Sequence, residues 1–142
     1  MVILLIMADI TKKILDDAYK VHSALGPGLL ESAYEACFIH ELKKDFGDVR
    51  SQVALPVFYD GLSIDLGYRL DVVVEDNVLI ELKSVERVLN IHKAQILSYL
   101  KLSKKKVGLL INFNEVHLRD GIFRFANGIK DRKTLQNESN VR

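Results

Sequence analysis

The sequence predicts an α/β domain in which helices flank a mixed β-sheet, in the order α-α-β-β-β-α-β-β. Two helical apolar repeats fill the first third of the chain, and alternating, β-branched runs follow them. A third helical repeat then lies between two strand patterns, which predicts a right-handed crossover. A chain of 142 residues can bury a sufficient core without disulfides.

Two helices are predicted before the first strand. The first has Asp9 as its N-cap and ends at Gly26-Pro27-Gly28. The second runs from about residue 29 to residue 46 and ends at Gly47. The predicted buried positions are Ile10, Ile14, Ala18, Val21 and Leu25 on the first helix and Leu30, Ala33, Tyr34, Cys37 and Leu42 on the second.

Alternating apolar residues predict strands from Val53 onward. A first strand ends at Asp60-Gly61, a strong signal for a two-residue hairpin turn. A long strand then covers residues 62–74 with a bend near Gly67, and a central hairpin continues to about Val85.

The last third of the chain predicts one helix and two more strand segments. The helix covers about residues 90–103, and the fully apolar run 107–111 predicts a buried strand. A small closing hairpin is expected over residues 116–125, with its turn at Asp120-Gly121. The remainder is polar and predicts an exposed tail over residues 129–142.

Composition restricts the compartment and the partners. The formal net charge is +1, so any attraction to nucleic acid must come from a local patch. The single Cys37 excludes an internal disulfide and fits a cytoplasmic protein, and its helical position predicts a core thiol. The apolar start 1–7 is too short to span a membrane. This start forms an extra strand, faces a partner, or results from translation that begins at a start codon upstream of the usual one at Met7.

The central hairpin carries three ionisable residues within apolar strands: Asp71, Glu81 and Lys83. Such charges are costly unless they pair with one another or hold a metal. A two-residue turn at Asp76-Asn77 would place the two acids on opposite faces of the sheet. A three-residue turn over 75–77, with Asn77 left-handed, would place them opposite each other, and we expect this register.

Two opposed carboxylates and a neighbouring backbone carbonyl form a hard-oxygen set that suits Mg²⁺ or Mn²⁺. Lys83 beside them could position or deprotonate a water, or neutralise charge on a phosphate. The alternative is an edge ion pair between Glu81 and Lys83, with Asp71 as an ordinary acid near the turn.

Polar residues on two helices add to this hypothesis. Glu31 lies in the first turn of the second helix, where it either joins the site or complements the helix dipole. His92, Gln95 and Tyr99 share one face of the third helix. That face lines a cleft or meets solvent.

These residues carry a family resemblance. The sequence resembles the GxxExxY proteins of the PD-(D/E)XK nuclease-like superfamily. The resemblance is carried, in chain order, by Gly28-x-x-Glu31-x-x-Tyr34, Asp71, Glu81-Leu82-Lys83 and Gln95-x-x-x-Tyr99. The resemblance covers about residues 9–128. It implies a restriction-endonuclease-like fold in a single domain over residues 1–128.

The resemblance also implies roles. Asp71 and Glu81 would ligate Mg²⁺ or Mn²⁺ with help from the Leu82 carbonyl, and Lys83 would orient the attacking water. Glu31 would lie at the edge of the metal site, and Gln95 would position the substrate or Lys83. The implied function is a metal-dependent nuclease acting on DNA or RNA, and the alternative is a non-catalytic nucleic-acid- or protein-binding module. The supporting groups would be Tyr34, His92 and Tyr99.

A nuclease also needs cations for phosphate binding. A solvated lysine face is the alternative explanation for each candidate, and a homodimer that uses the apolar start is a further expectation. The candidates are Lys101, Lys104, Lys105 and Lys106, with Lys43, Lys44 and Arg50.

Overall fold

The computed structural model describes residues 2–127. Three helices and a five-stranded mixed sheet confirm the predicted α/β class and the predicted order of helices and strands. The elements are α1 (Val2–Leu25), α2 (Glu31–Asp45), β1 (Val49–Ala54), β2 (Val57–Tyr59), β3 (Leu62–Ile64), β4 (Arg69–Val74), β5 (Val78–Lys83), α3 (Asn90–Ser103), β6 (Val107–Asn112), a 3₁₀ helix (Leu118–Gly121) and β7 (Ile122–Ala126).

The main sheet has the strand order β1-β4-β5-β6-β7. Only β5 and β6 run parallel within it, and α3 is the crossover between them. Helices α1 and α2 cover one face with a core that includes Ile14 and Phe38. Helix α3 covers the other face through Ile96 and Leu100. The two central strands are therefore buried on both faces, as their apolar runs predicted.

Two of the predicted strands are each divided in two. Pro56 lies between β1 and β2, where its missing N–H cannot continue a ladder. Between β3 and β4 the chain turns at Gly67, which has a φ of +79° and donates its N–H to the Asp65 carboxylate at 3.0 Å. The hairpin β2–β3 consequently forms a separate two-stranded sheet, and its turn is the predicted Asp60-Gly61.

The helical region differs from the prediction at its start. Helix α1 begins at Val2, so residues 2–7 are not an extra strand and Asp9 lies inside the helix rather than at its N-cap. The apolar start has no helix breaker, so the helical repeat simply continues towards the N-terminus. Met7 reaches the core, whereas Val2 and Leu5 are exposed.

The prediction of a buried Cys37 is wrong, because this thiol is exposed. The buried positions of α2 are spaced by four residues at Tyr34, Phe38 and Leu42. Cys37 lies one position to the side, in a groove between α1 and α2. Leu30, which was also expected to be buried, is exposed in the loop before α2.

The C-terminal part of the domain also differs in detail. The small hairpin expected over residues 116–125 is replaced by the 3₁₀ helix and β7, and β7 pairs with β6. The expected polar tail over 129–142 lies outside the described residues. Among residues 2–127, no helix is both long and apolar enough to cross a membrane.

Candidate active site

The hairpin β4–β5 brings the two predicted acids together. Val74 pairs with Val78 and Val72 with Ile80, so the turn contains the three residues 75–77. The expected three-residue turn is confirmed, and this register, continued by one residue pair, puts Asp71 opposite Glu81. The left-handed residues are Glu75 and Asp76, with φ values of 51° and 55°, and not Asn77 as predicted.

The reason for this difference is local hydrogen bonding. The amide of Asn77 donates to the carbonyl of Glu75 at 3.1 Å. The Glu75 carboxylate accepts the backbone N–H groups of Gly47 and Asp48 at 3.1 and 3.3 Å. These contacts hold the first two turn residues in the less common conformation.

The carboxylates of Asp71 and Glu81 share one side of the hairpin. Asp71 Oδ2 accepts the backbone N–H of Leu82 at 2.9 Å, and Glu81 Oε1 lies 3.5 Å from the backbone N of Asp71. Glu81 is 7% exposed. Burial, and then the charge of Asp71, raise the pKa of Glu81 to about 8. The pair is therefore an electrostatically strained site that a cation would relieve.

Lys83 lies on the same face of β5 as Glu81, because side chains alternate along a strand. No ion pair within 4.0 Å joins Lys83 to Glu81 in the described chain, so the alternative of an edge ion pair is not what the structure shows. Lys83 is half-buried. Its charge lowers the pKa of Glu31, of Glu81 and of His92.

Glu31 is the first residue of α2 and lies at the edge of the acid pair. Burial and the charge of Asp71 raise the pKa of Glu31, while Lys83 acts in the opposite direction. The side chain remains at the surface. A third carboxylate therefore borders the pair without being enclosed with it.

The loop before α2 fixes the position of Glu31. Gly28 has a φ of +101° and donates its N–H to the side-chain oxygen of Asn114 at 3.0 Å. The buried phenol of Tyr34 donates to the carbonyl of Gly26 and accepts the N–H of Leu29 at 3.1 Å. The ring of Tyr34 stacks on another buried ring, that of Phe113, at 4.9 Å between centroids. Tyr34 is therefore a structural support for the loop.

Helix α3 presents its polar face to the site. Gln95 donates to the phenol of Tyr99 at 2.9 Å. Burial raises the pKa of Tyr99, and the charges of Glu81 and Asp71 add to this rise. Burial and then Lys83 lower the pKa of His92, whose Nδ1 accepts the backbone N–H of Leu89 at 3.0 Å. This face of α3 therefore lies beside the acid pair and Lys83, with Gln95 exposed next to Tyr99.

The lysine cluster lies at the opposite end of the strands. The backbone N–H of Lys106 bonds to the carbonyl of Asn77, and Lys105 pairs with Asp76 at 2.7 Å. Glu81 is the register partner of Leu110, four residues further along, or roughly 13 Å at the usual strand rise. The structure does not bring Lys104, Lys105 or Lys106 to the acid pair, and Lys101 lies in the last turn of α3 at the same far end.

The other expected cations are similarly placed. Lys43 and Lys44 lie in the last turn of α2, and Lys44 pairs with Glu41 at 3.1 Å. Arg50 pairs with Asp48 at 3.0 Å. Within the described residues, none of the three forms a hydrogen bond or an ion pair with Asp71 or Glu81.

Two asparagines that sequence reasoning missed hold the chain after Lys83. The side chain of buried Asn112 accepts the N–H of Val85 at 3.1 Å and donates to the Val85 carbonyl at 2.9 Å. Asn114 donates to the same carbonyl at 3.2 Å. Ser84 Oγ donates to the carbonyl of Leu29 at 2.6 Å, which joins this loop to the start of α2. A buried asparagine at the end of an apolar strand was the available signal.

The donor set fits a hard divalent cation, although only two acids face each other. Within residues 2–127, no group of three or more His, Cys, Asp and Glu side chains is arranged to hold a metal ion. A site here would use the remaining carboxylate oxygens of Asp71 and Glu81 with a backbone carbonyl. Oxygen donors of this kind suit Mg²⁺ or Mn²⁺.

The fold and the opposed carboxylates define an α/β domain with a candidate divalent-cation site on strands β4 and β5. A family model described as the PD-(D/E)XK nuclease superfamily matches residues 8–125, and the chain belongs to this superfamily. The apolar start lies outside the matched residues. No curated protein and no solved structure matches the chain.

Proposed function

We propose that this protein is a divalent-metal-dependent nuclease of the GxxExxY group, which hydrolyses phosphodiester bonds in DNA or RNA. Membership of the superfamily supports nuclease-like chemistry. The observation that carries the proposal is the register of β4 and β5, which sets Asp71 opposite the buried Glu81 with Lys83 on the same face. The complete Gly28-x-x-Glu31-x-x-Tyr34 motif supports the narrower group.

Asp71 and Glu81 would hold Mg²⁺ or Mn²⁺ together with the Leu82 carbonyl. When bound, the ion supplies Lewis-acid stabilisation of charge on the transferring phosphate. Glu81 would ligate the ion as a carboxylate, and because burial and Asp71 raise its pKa to about 8, it would have to be deprotonated to do so. Asp71 keeps the hydrogen bond from Leu82, which fixes the orientation of its carboxylate.

The remaining residues handle the water and the substrate. The ammonium group of Lys83 orients the attacking water and offsets negative charge on the phosphate. Gln95 and Tyr99, held by their mutual hydrogen bond, form the α3 side of the cleft and position the substrate. Glu31 borders the site from the α2 side.

A non-catalytic binding module is the second candidate. It is favoured by the distance between the lysine cluster and the acid pair, because a basic surface remote from the site can bind nucleic acid without cleaving it. This candidate predicts nucleic-acid binding that does not change when the acid pair is neutralised.

The test is cleavage of end-labelled single-stranded DNA, duplex DNA and RNA with Mg²⁺, Mn²⁺ or chelator. Asp71→Asn and Glu81→Gln should each lower the cleavage rate by at least about 100-fold, the scale of losing a key catalytic group. Asp76→Asn is the matched control, since this exposed acid lies in the turn at the other end of the hairpin.

Calorimetric titration with Mn²⁺ gives a second readout. Wild type and Asp76→Asn should bind the ion, and Glu81→Gln should not. Cleavage that is equal in wild type, Asp71→Asn and Glu81→Gln would exclude the acid pair as the active site. Binding of nucleic acid with no cleavage under any metal condition would favour the binding module.

A further inference from the structure

Exposed aromatic side chains are concentrated in one segment. Four are exposed among residues 2–127, and three of them lie between β1 and the first residue of β4: Phe58 at 61%, Tyr59 at 72% and Tyr68 at 42%. Aromatic rings usually contribute large apolar areas to a core. Phe58 and Tyr59 are consecutive on β2 and point to opposite faces of the hairpin, so the segment exposes rings on both of its faces. Such a concentration of exposed apolar area indicates contact with a partner.

This segment is set apart from the main sheet. Ala54 and Arg69 are register partners of β1 and β4, so the chain leaves and re-enters the sheet at one point. Between them, β2 and β3 pair with each other and not with the five-stranded sheet. An isolated two-stranded hairpin is only marginally stable in water, so a bound partner would also stabilise it.

Tyr68 connects the segment to the candidate active site. Its ring lies 6.1 Å from that of Tyr99, with an angle of 54° between the planes. The phenol of Tyr99 is in turn bonded to Gln95, the residue on the α3 side of the cleft. Tyr68 immediately precedes β4, the strand that carries Asp71. Tyr68 is thus the exposed ring of the segment that adjoins the surroundings of the acid pair.

A cation lies beside Tyr68. Arg69 donates to the Tyr68 carbonyl at 2.8 Å, and its guanidinium lies 3.8 Å from Asp65. Its side chain is 40% exposed, so the remaining N–H groups can reach a phosphate. The segment therefore combines a ring on which a base can stack with a guanidinium group that can donate hydrogen bonds to a phosphate.

We propose that segment 57–69 binds the unpaired nucleotides of a single-stranded nucleic acid, with Tyr68 stacking on the base nearest the acid pair. This inference rests on the proposed function and adds its substrate class. Aromatic platforms suit single strands because every unpaired base has a free face, whereas the bases of a duplex are already stacked on each other. The contact from Tyr68 to Tyr99 and the adjacent Arg69 favour a nucleotide over an apolar protein segment here.

The test is fluorescence anisotropy with a labelled 20-nucleotide strand, as DNA and as RNA, and with the matching duplex, all in chelator. Tyr68→Ala should weaken single-strand binding by at least about fivefold, the lower end of what one base–aromatic stack contributes. Tyr68→Phe keeps the ring and should bind as wild type does. Tyr19→Ala is the matched control, because Tyr19 is 40% exposed on α1 and lies beside His22 and Arg124 instead.

Each outcome separates this inference from the proposed function. Single-strand binding that depends on Tyr68, without cleavage when Mg²⁺ or Mn²⁺ is added, would support the inference and count against the nuclease. Metal-dependent cleavage with single-strand binding unchanged in Tyr68→Ala would overturn the inference and leave the nuclease standing. Equal losses in Tyr68→Ala and Tyr19→Ala, or tighter binding to the duplex, would also overturn it.

A protein partner would give a different result. If wild type binds no nucleic acid, and light scattering shows an oligomer that Phe58→Ser converts to monomer, the segment is a protein interface and the inference is wrong. Circular dichroism melts of each variant verify that binding is compared among folded proteins.

Discussion

Asp17 is a buried acid on α1 that the candidate site does not use. It is 6% exposed, and its Oδ2 is buried with no hydrogen-bond partner in the described chain. Burial, followed by a hydrogen bond with Asp45 and the charges of Asp45 and Glu41, raises the pKa of Asp17 to about 7, while Lys20 opposes this rise. The folded protein therefore keeps the Asp17 carboxyl group protonated up to near-neutral pH.

The stability of the protein should depend on this proton. Between the ordinary pKa of 3.8 and the folded value of about 7, the folded state binds one proton more than the unfolded state. The free energy of unfolding should thus fall as pH rises through this window, by up to about 1.4 kcal/mol per pH unit. Urea denaturation from pH 5 to pH 8 measures the slope.

Asp17→Asn should remove the Asp17 part of this pH dependence, because the amide neither titrates nor repels Asp45. Glu81, whose pKa is raised to about 8, contributes a second fall that should remain in the variant. Asp16→Asn is the control, since Asp16 is an exposed neighbour that pairs with Lys12. Parallel pH profiles for wild type and Asp17→Asn would show that the carboxyl pair does not govern stability in this range.

At the scale of elements, the phenol of Tyr34 makes two of the hydrogen bonds that hold the loop between α1 and α2. Tyr34 is fully buried, and its hydroxyl group satisfies the Gly26 carbonyl and the Leu29 N–H. Removing the hydroxyl leaves both backbone groups without this partner. The loop that carries Gly28 and precedes Glu31 would then lose its main side-chain anchor.

Tyr34→Phe should lower the free energy of unfolding by about 1–3 kcal/mol, the cost of leaving buried polar groups unsatisfied. Chemical denaturation measures the change. Tyr19→Phe is the matched control, because Tyr19 is exposed and should change stability by less than about 0.5 kcal/mol. A Tyr34→Phe protein as stable as wild type would show that other contacts hold this loop.

The sequence predicted the elements and the acid pair because both follow from local rules. Strand alternation and the length of the turn were enough to place Asp71 opposite Glu81. The same rules failed where packing against a neighbouring helix or strand determines which side chains are buried. Whether Cys37 or Phe38 faces the core depends on how α1 packs against α2. The apolar spacing within α2 alone does not determine this packing.

The cations and the aromatic segment show the same limit. Lys104 to Lys106 cluster in sequence, but the parallel pairing of β5 and β6 sends them to the far end of the strands from Glu81. Tyr68 carried no sequence signal of its own, because its contact with Tyr99 joins the residue before β4 to a helical residue that lies 31 positions later. Tertiary placement, rather than residue type, decides which polar groups meet.

At the scale of the whole molecule, the first turns of α1 extend beyond the core. Val2 and Leu5 are 70% and 64% exposed, whereas Met7 is 4% exposed and joins the main core. The family match likewise begins at residue 8. We therefore expect Met7 to be the first side chain of α1 that contributes to the stability of the domain.

Met7→Ala should lower the free energy of unfolding by at least about 2 kcal/mol, because it leaves a cavity in the core. The double substitution Val2→Gln and Leu5→Gln should change it by less than about 0.5 kcal/mol, because both side chains are exposed. Urea denaturation compares the two. Large destabilisation by the double substitution would show that the start of α1 packs against another surface in solution, as the expected homodimer would require.

The insertion point of the β2–β3 hairpin has a consequence for how this protein can change over evolution. Because Ala54 and Arg69 are neighbours across β1 and β4, the sheet closes beneath the hairpin whatever its length. The entropy cost of a longer connection grows only slowly with the number of residues. Hairpins of other lengths should therefore be tolerated at this point while the acid pair, carried by β4 and β5, keeps its register.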